Sequence, residues 1–183
     1  MATISSWRVR AHRRLASYRV FDVTELDAER EDTGQTHTFF RIDSVDWANI
    51  IPITTAGEVV MIRQFRHGLG RETLEIPGGL VDGDEQPGVA AARELLEETG
   101  YRAGEVRELG AVSPNPALFG NRIHSYLATG CTKVTEVHND AAEQTAVELV
   151  PIDRIDDLLR DGTIDHALVM NAFHWWKLRG STL

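Results

Sequence analysis

One cysteine, Cys131, stands among 183 residues. No intrachain disulfide can therefore form, the expected role is a buried structural thiol, and the chain suits a reducing cytoplasm. Basic residues are in the minority: 19 Lys and Arg against 28 Asp and Glu leave a net charge of −9. That balance speaks against a nucleic-acid-binding surface. It also means that an anionic substrate would be repelled unless cations stood between it and the protein. No apolar run approaches the length of a membrane span, and the first residues lack the apolar core of a secretion signal. There is no internal repeat, low-complexity tract or long linker. The histidines show no metal-ligand spacing, and Asp82-Gly-Asp-Glu85 lacks the spacing of a calcium-binding EF-hand loop.

What is present begins with 42% hydrophobic content, enough for one good core but not for a second full domain. Arg8, Arg10, Arg13, Arg14 and Arg19 precede any acidic residue. They read as a basic lead-in to a strand at Tyr18–Thr24 rather than as an organelle transit peptide. A second strand is expected at Thr36–Ile42, with Leu26–Gln35 as a polar hairpin connection. Trp47–Thr54, Val59–Phe65, Glu105–Val112, Ile123–Thr129 and Ala146–Val150 also read as strands, and Asp153–Arg160 and His166–Leu178 as helices. A mixed sheet between helices is the natural assembly.

The most informative stretch is Gly79–Tyr101, GLVDGDEQPGVAAARELLEETGY. Pro87 suits a first helical residue and Gly100 a helix stop, so a helix over Pro87–Thr99 is expected. Val89, Ala92, Leu95 and Leu96 would share one side of it. Glu94, Glu97 and Glu98 would share the opposite side, at i, i+3 and i+4, where like charges repel. A divalent cation among them turns that repulsion into attraction, and carboxylate oxygens suit Mg²⁺ and Mn²⁺. The helix alone could be a solvated acidic face. The whole spacing could hardly arise by chance, since its eight strictest positions would match at random on the order of once in ten million.

This stretch resembles the signature of the Nudix hydrolases: Gly79, five residues, Glu85, seven residues, Arg93-Glu94-Leu95, then Glu97-Glu98 and Gly100. Tyr101 departs from it, standing where the family carries an aliphatic residue, at what reads as a packing position. Val59-Val-Met-Ile-Arg-Gln-Phe-Arg, Leu74-Glu-Ile-Pro-Gly-Gly, Ser113-Pro-Asn-Pro and Asp157-Leu-Leu-Arg-Asp-Gly resemble the ADP-ribose and nucleoside-diphosphate-sugar pyrophosphatases within that family. The resemblance implies an α/β/α sandwich with a mixed sheet over residues 46–183. Residues 1–45 would form an N-terminal antiparallel sheet extension that packs across a homodimer. It implies Mg²⁺, with Mn²⁺ as an alternative, held by Glu94, Glu98 and the Gly78 carbonyl, with Glu97 joining when more than one ion binds. Glu85 would support the loop or the metal-bound waters, and Arg93 would orient Glu97 from one helical turn away.

A general base is implied on the later loop, at Glu143 first and Asp140 second. For substrate, Arg66 is the first candidate for the diphosphate, ahead of Arg63. Glu75 could bind metal or a sugar hydroxyl, and the alternative for both Arg66 and Glu75 is a plain ion pair. Asn115 lies in one of the resembling segments, and Trp47 could stack on a base, though packing is the stronger reading for it and for Trp7. The implied reaction is hydrolysis of the pyrophosphate of a nucleoside-diphosphate sugar, ADP-ribose first, in the cytoplasm, without nucleic-acid or membrane partners. The alternatives are another Nudix substrate, such as a dinucleoside polyphosphate or modified nucleoside triphosphate, and a sensor that binds ADP-ribose without cleaving it.

Overall fold

The computed structural model describes residues 4–138 and 144–179, which fall into two compact units, Met1–Val45 with Ser113–Arg122 and Asp46–Val112 with Ile123–Leu183. The first is an antiparallel sheet of β1 (Trp7–Ser17), β2 (Asp22–Arg30) and β3 (Thr36–Asp43), with β2 in the middle. The arginine-rich lead-in is itself a strand, which corrects the expectation of a first strand at Tyr18–Thr24. Tyr18 instead opens a turn, its N–H donating to the Phe21 carbonyl at 2.9 Å. Leu26–Arg30, expected in the connection, belongs to β2. The physical reason is a ladder of opposite charges between the strands: Arg8 with Glu31 at 2.7 Å, Arg10 with Glu29 at 2.8 Å, Arg13 with Glu25 at 2.8 Å and Arg14 with Asp22 at 3.3 Å. Such pairs replace the apolar alternation that normally marks a strand. Trp7 packs edge-to-face on Phe39, 5.1 Å between ring centres. The Ser113–Arg122 segment joins this unit through the Ile42 N–H, which donates to the Leu118 carbonyl at 2.8 Å.

The second unit is built on a mixed sheet of β4 (Trp47–Thr54), β5 (Glu58–Arg66), β6 (Arg71–Glu75), β7 (Gly78–Leu80), β8 (Tyr101–Arg102), β9 (Glu105–Val112), β10 (Ile123–Lys133) and β11 (Thr145–Pro151). The central path runs β11-β5-β4-β10-β8, with β6 beside β5, β7 beside β4 and β9 beside β10. Only β4 and β10 pair in parallel. Alternate residues of β4 serve opposite faces, as a strand requires. Ala48 and Ile50 pack with α1 (Pro87–Thr99), whereas Ile51 and Ile53 pack with α3 (Ala167–Leu178) and with Ile155 at the start of α2 (Ile155–Arg160). A 3₁₀ turn at Ile152–Arg154 precedes α2, so the expected helix from Asp153 begins with a tighter turn. Cys131 is buried in the cluster under α1, where loss of solvent pushes its thiol up to about 11.

Helix α1 has the bounds its sequence implies. Pro87 occupies its first turn, and Gly100 closes it in the left-handed region at φ 74° with its N–H donating to the Leu96 carbonyl. Its faces differ from the expectation. Ala90, Ala91, Leu95 and Glu98 face inward, whereas Val89 is 58% exposed. Glu98 follows Leu95 by three residues and so shares its side of the helix. The helix thus turns one carboxylate into the protein and leaves another, on Glu97, half in water. Tyr101 packs partly buried against the same cluster.

Candidate active site

The loop from β7 delivers Gly78 and Gly79 to the side of α1. A Cβ on Gly79 would collide with the Glu94 carboxylate, so glycine is what lets that carboxylate lie against the backbone. The Gly78 N–H donates to Glu98 Oε2 at 2.9 Å, and Glu98 is only 7% exposed. Gly78 is itself confined, because a Cβ there would stand 2.8 Å from the Asn49 Cβ.

Arg93 is the hub of the charged side of the helix. Its guanidinium donates to Glu94 Oε1 at 2.8 Å, to Glu97 Oε2 at 3.1 Å, to both oxygens of Glu85 at 3.3 and 3.1 Å, and to the Leu80 carbonyl at 3.1 Å. Its hydrogen bonds to Glu85 and the charge of Glu94 outweigh its partial burial and raise its already high pKa. In turn Arg93 holds the Glu85 carboxyl below its usual range. Five donors in a fixed fork make arginine the residue able to tie a loop and two helical carboxylates together.

Among the described residues, no group of three or more His, Cys, Asp or Glu side chains stands ready to hold a metal ion. Glu94 and Glu97 are turned to Arg93, and Glu98 to the Gly78 N–H. The donor set nevertheless suits a hard divalent cation: carboxylate oxygens of graded exposure beside a glycine backbone that no Cβ crowds.

Arg66 and Glu75 form one unit. The guanidinium donates to both carboxylate oxygens at 2.7 Å, and Thr73 Oγ1 donates to Glu75 Oε1 at 2.6 Å. Glu75 is 2% exposed. Burial alone would raise its pKa, but Arg66 and Thr73 together hold the carboxyl below its ordinary value. Arg66 and Glu75 are thus joined as an ion pair in this structure. Arg63 pairs with Glu148 at 2.6 Å on the neighbouring strand. Trp47, partly buried at the start of β4, is in register with Leu80 and Ile123. Asn115 lies in the other compact unit, where its Oδ1 accepts the Ala117 N–H at 3.3 Å and its carbonyl accepts from Leu118 and Phe119, closing a local turn. His124 Nε2 stands 3.1 Å from Asp46 Oδ2.

Glu143 and Asp140 lie outside the described residues. The residues flanking them are anchored at the end of α1: the His138 N–H donates to the Glu97 carbonyl at 3.0 Å, and Thr145 Oγ1 donates to the Glu98 carbonyl at 2.9 Å. The sequence reading missed Thr145, Thr73 and Asn49. Asn49 alone left a visible signal, an amide inside the apolar run of β4.

A mixed sheet with α1 on one face and α2 and α3 on the other, and glycines opposite an acidic helix, define an α/β/α sandwich of one particular kind. The NUDIX domain model matches residues 45–173, and the chain belongs to that family. The chain is 33% identical over 111 residues to the ADP-ribose pyrophosphatase of Bacillus subtilis (strain 168), a match spanning 61% of this chain and 59% of that protein. It is 34% identical over 158 residues to the CMP-5'-(N-acetyl-N-hydroxy-3-aminopropyl)phosphonate hydrolase of Streptomyces rubellomurinus, spanning 85% of this chain and 75% of that one. A solved ADP compounds hydrolase superposes over the whole of both chains with a TM-score of 0.83 at 24% identity, which shows the shared fold. No helix among the described residues is long and apolar enough to cross a membrane.

Proposed function

We propose that this chain hydrolyses the pyrophosphate of a nucleoside-diphosphate sugar, ADP-ribose first, to a nucleoside monophosphate and a sugar phosphate. The observation that carries the reading is the docking of the acidic helix on Gly78 and Gly79, with Glu98 buried on the Gly78 N–H and Glu94 filling the space beside Gly79. Glu94, Glu98 and the Gly78 carbonyl would hold Mg²⁺ or Mn²⁺, with Glu97 recruited for a further ion. A divalent ion held there would neutralise phosphate charge and lower the pKa of a bound water, supplying a hydroxide-like nucleophile for phosphorus.

The chain's own residues supply the rest. Arg93 keeps Glu94 and Glu97 on one side of the helix, and cation binding would exchange part of that pairing. Arg66, fixed by Glu75, presents a guanidinium able to donate to the diphosphate. Glu143 is assigned as the base that takes the proton of the attacking water, as the P–O anhydride bond breaks and a new P–O bond forms. Trp47 would offer a face to the base, and Asn115 a contact to the sugar. Residues 1–45 serve as the dimer element of a cytoplasmic homodimer, a role supported by the exposure of Trp7, Val9, Phe39 and Phe40 on their strands.

The named relatives act on an ADP-linked ribose and a CMP-linked phosphonate, so a panel tests the substrate best. The pure protein with Mg²⁺ is expected to convert ADP-ribose, ADP-glucose or GDP-mannose to two phosphate esters. An untouched panel would refute the reading, and stoichiometric binding without product would mark a sensor. Sedimentation of the full chain at micromolar concentration checks the dimer.

A further inference from the structure

Behind the strand that carries Gly78, on the face of the sheet that packs against α3, runs a row of buried polar groups. Asn49 and Ser125 are in register across the parallel pair β4–β10, and they are 5% and 0% exposed. Asn49 Nδ2 donates to the Leu168 carbonyl of α3 at 3.2 Å. Its Oδ1, and Ser125 Oγ, have no partner within the protein. On its other side Ser125 is in register with Gly110, on which the Trp175 ring of α3 rests. Helix α3 therefore lies with Leu168 over Asn49 and Trp175 over Gly110. The pair thus sets a carbonyl acceptor beside a hydroxyl, both shut off from solvent. Buried polar groups of this kind are normally satisfied, and a small polar site with two to four partners is what an internal water needs.

The row bears on the active site through Asn49. Its backbone is paired with Gly78 of β7, and the close approach of the two strands puts the Asn49 Cβ where a Gly78 side chain would have to stand. The Gly78 N–H holds Glu98. We infer that Asn49 and Ser125 hold one buried water beneath α3, and that Asn49 is thereby a positioning residue for the Gly78–Glu98 contact. Neither the water nor the positioning rests on the proposed function.

A crystal structure resolving ordered solvent is expected to show one water within hydrogen-bond distance of both Asn49 Oδ1 and Ser125 Oγ. Side chains bonded directly to one another there, with no water, would overturn the site. In Asn49→Leu the Gly78 amide is expected to exchange with deuterium about tenfold faster, the loss of one hydrogen bond's worth of local stability, while the Thr73 amide keeps its rate. Unchanged exchange at Gly78, or an equal rise at both amides, would overturn the positioning role. Should Asn49→Leu fail to fold, Ser125→Ala keeps the Leu168 tie and is expected to speed Gly78 exchange about threefold; no change there overturns the role equally. Neither measurement requires the protein to be active, so a failure of the proposed function leaves both decisive.

Discussion

Ten of the eleven residues of β1 are exposed, whereas six of the eight of β4 are buried. The N-terminal sheet is laced by arginine–carboxylate pairs that stand in water. The larger unit is held by two apolar clusters, one under α1 and one under α2 and α3. Exposed ion pairs are worth little each, while a buried aliphatic side chain contributes roughly 1.5–3 kcal/mol. One chain therefore contains a sheet whose register is written in charge and a sheet whose stability is written in burial. The acidic helix belongs to the second, and Glu98, sharing the buried side with Leu95, makes the candidate chemistry depend on that packing.

The comparison can be broken most sharply at Leu95, which is fully buried. Leu95→Ala is expected to cost about 2–5 kcal/mol in urea denaturation and to lower activity with it. A loss below about 1 kcal/mol would show that α1 is not held by its apolar side. Glu98→Gln separates chemistry from packing. It should keep the fold by circular dichroism and lose turnover about a hundredfold, roughly 2.7 kcal/mol in barrier, and near-normal turnover would remove Glu98 from the site.

Acid sharpens the contrast next. The Glu75 carboxyl lies below its ordinary value in the folded protein. Its contribution is therefore present above the unfolded pKa of about 4.3 and is lost as pH falls through the folded value. Denaturation midpoints of the wild type should fall between pH 7 and pH 3 more steeply than those of Glu75→Gln, and parallel curves would contradict the shift. The smallest effect belongs to the charge ladder. Arg10 holds the Glu29 carboxyl below its ordinary value, as Ser17 and Arg14 do that of Asp22. Their stabilisation, present above about pH 4, is lost through the same acid range and is screened by salt. Amide exchange in β1 should quicken modestly in 1 M salt while β4 stays protected; equal change in both strands would erase the distinction.

The two units also differed in how far their sequences could be read. Pro87 and Gly100 mark α1 by backbone chemistry that no neighbour overrides, and its bounds agree with the structure. β4 and β5 were equally plain, as two apolar runs across a turn at residues 55–58. The eleven-residue β1 was missed because Arg8, Arg10, Arg13 and Arg14 carry no apolar period, and their strand partners, Glu31, Glu29, Glu25 and Asp22, lie 8 to 23 residues away. Assigning Val89 to the buried side failed because α1 packs through its alanines, leaving room for Glu98 to turn inward. Arg66 and Glu75 were each legible as charged residues near the motif, but their mutual bond depends on strands β5 and β6 pairing Ile62 with Glu75. Asn115 could be read only as part of a resembling segment, and its local turn is invisible to periodicity.

The anchors at the end of α1 carry one more consequence. His138 and Thr145 are tied to the carbonyls of consecutive helical residues, Glu97 and Glu98. Closing a chain between two fixed feet costs only slightly more as it lengthens. The seat of α1 therefore depends on the two feet and only weakly on how many residues stand between them.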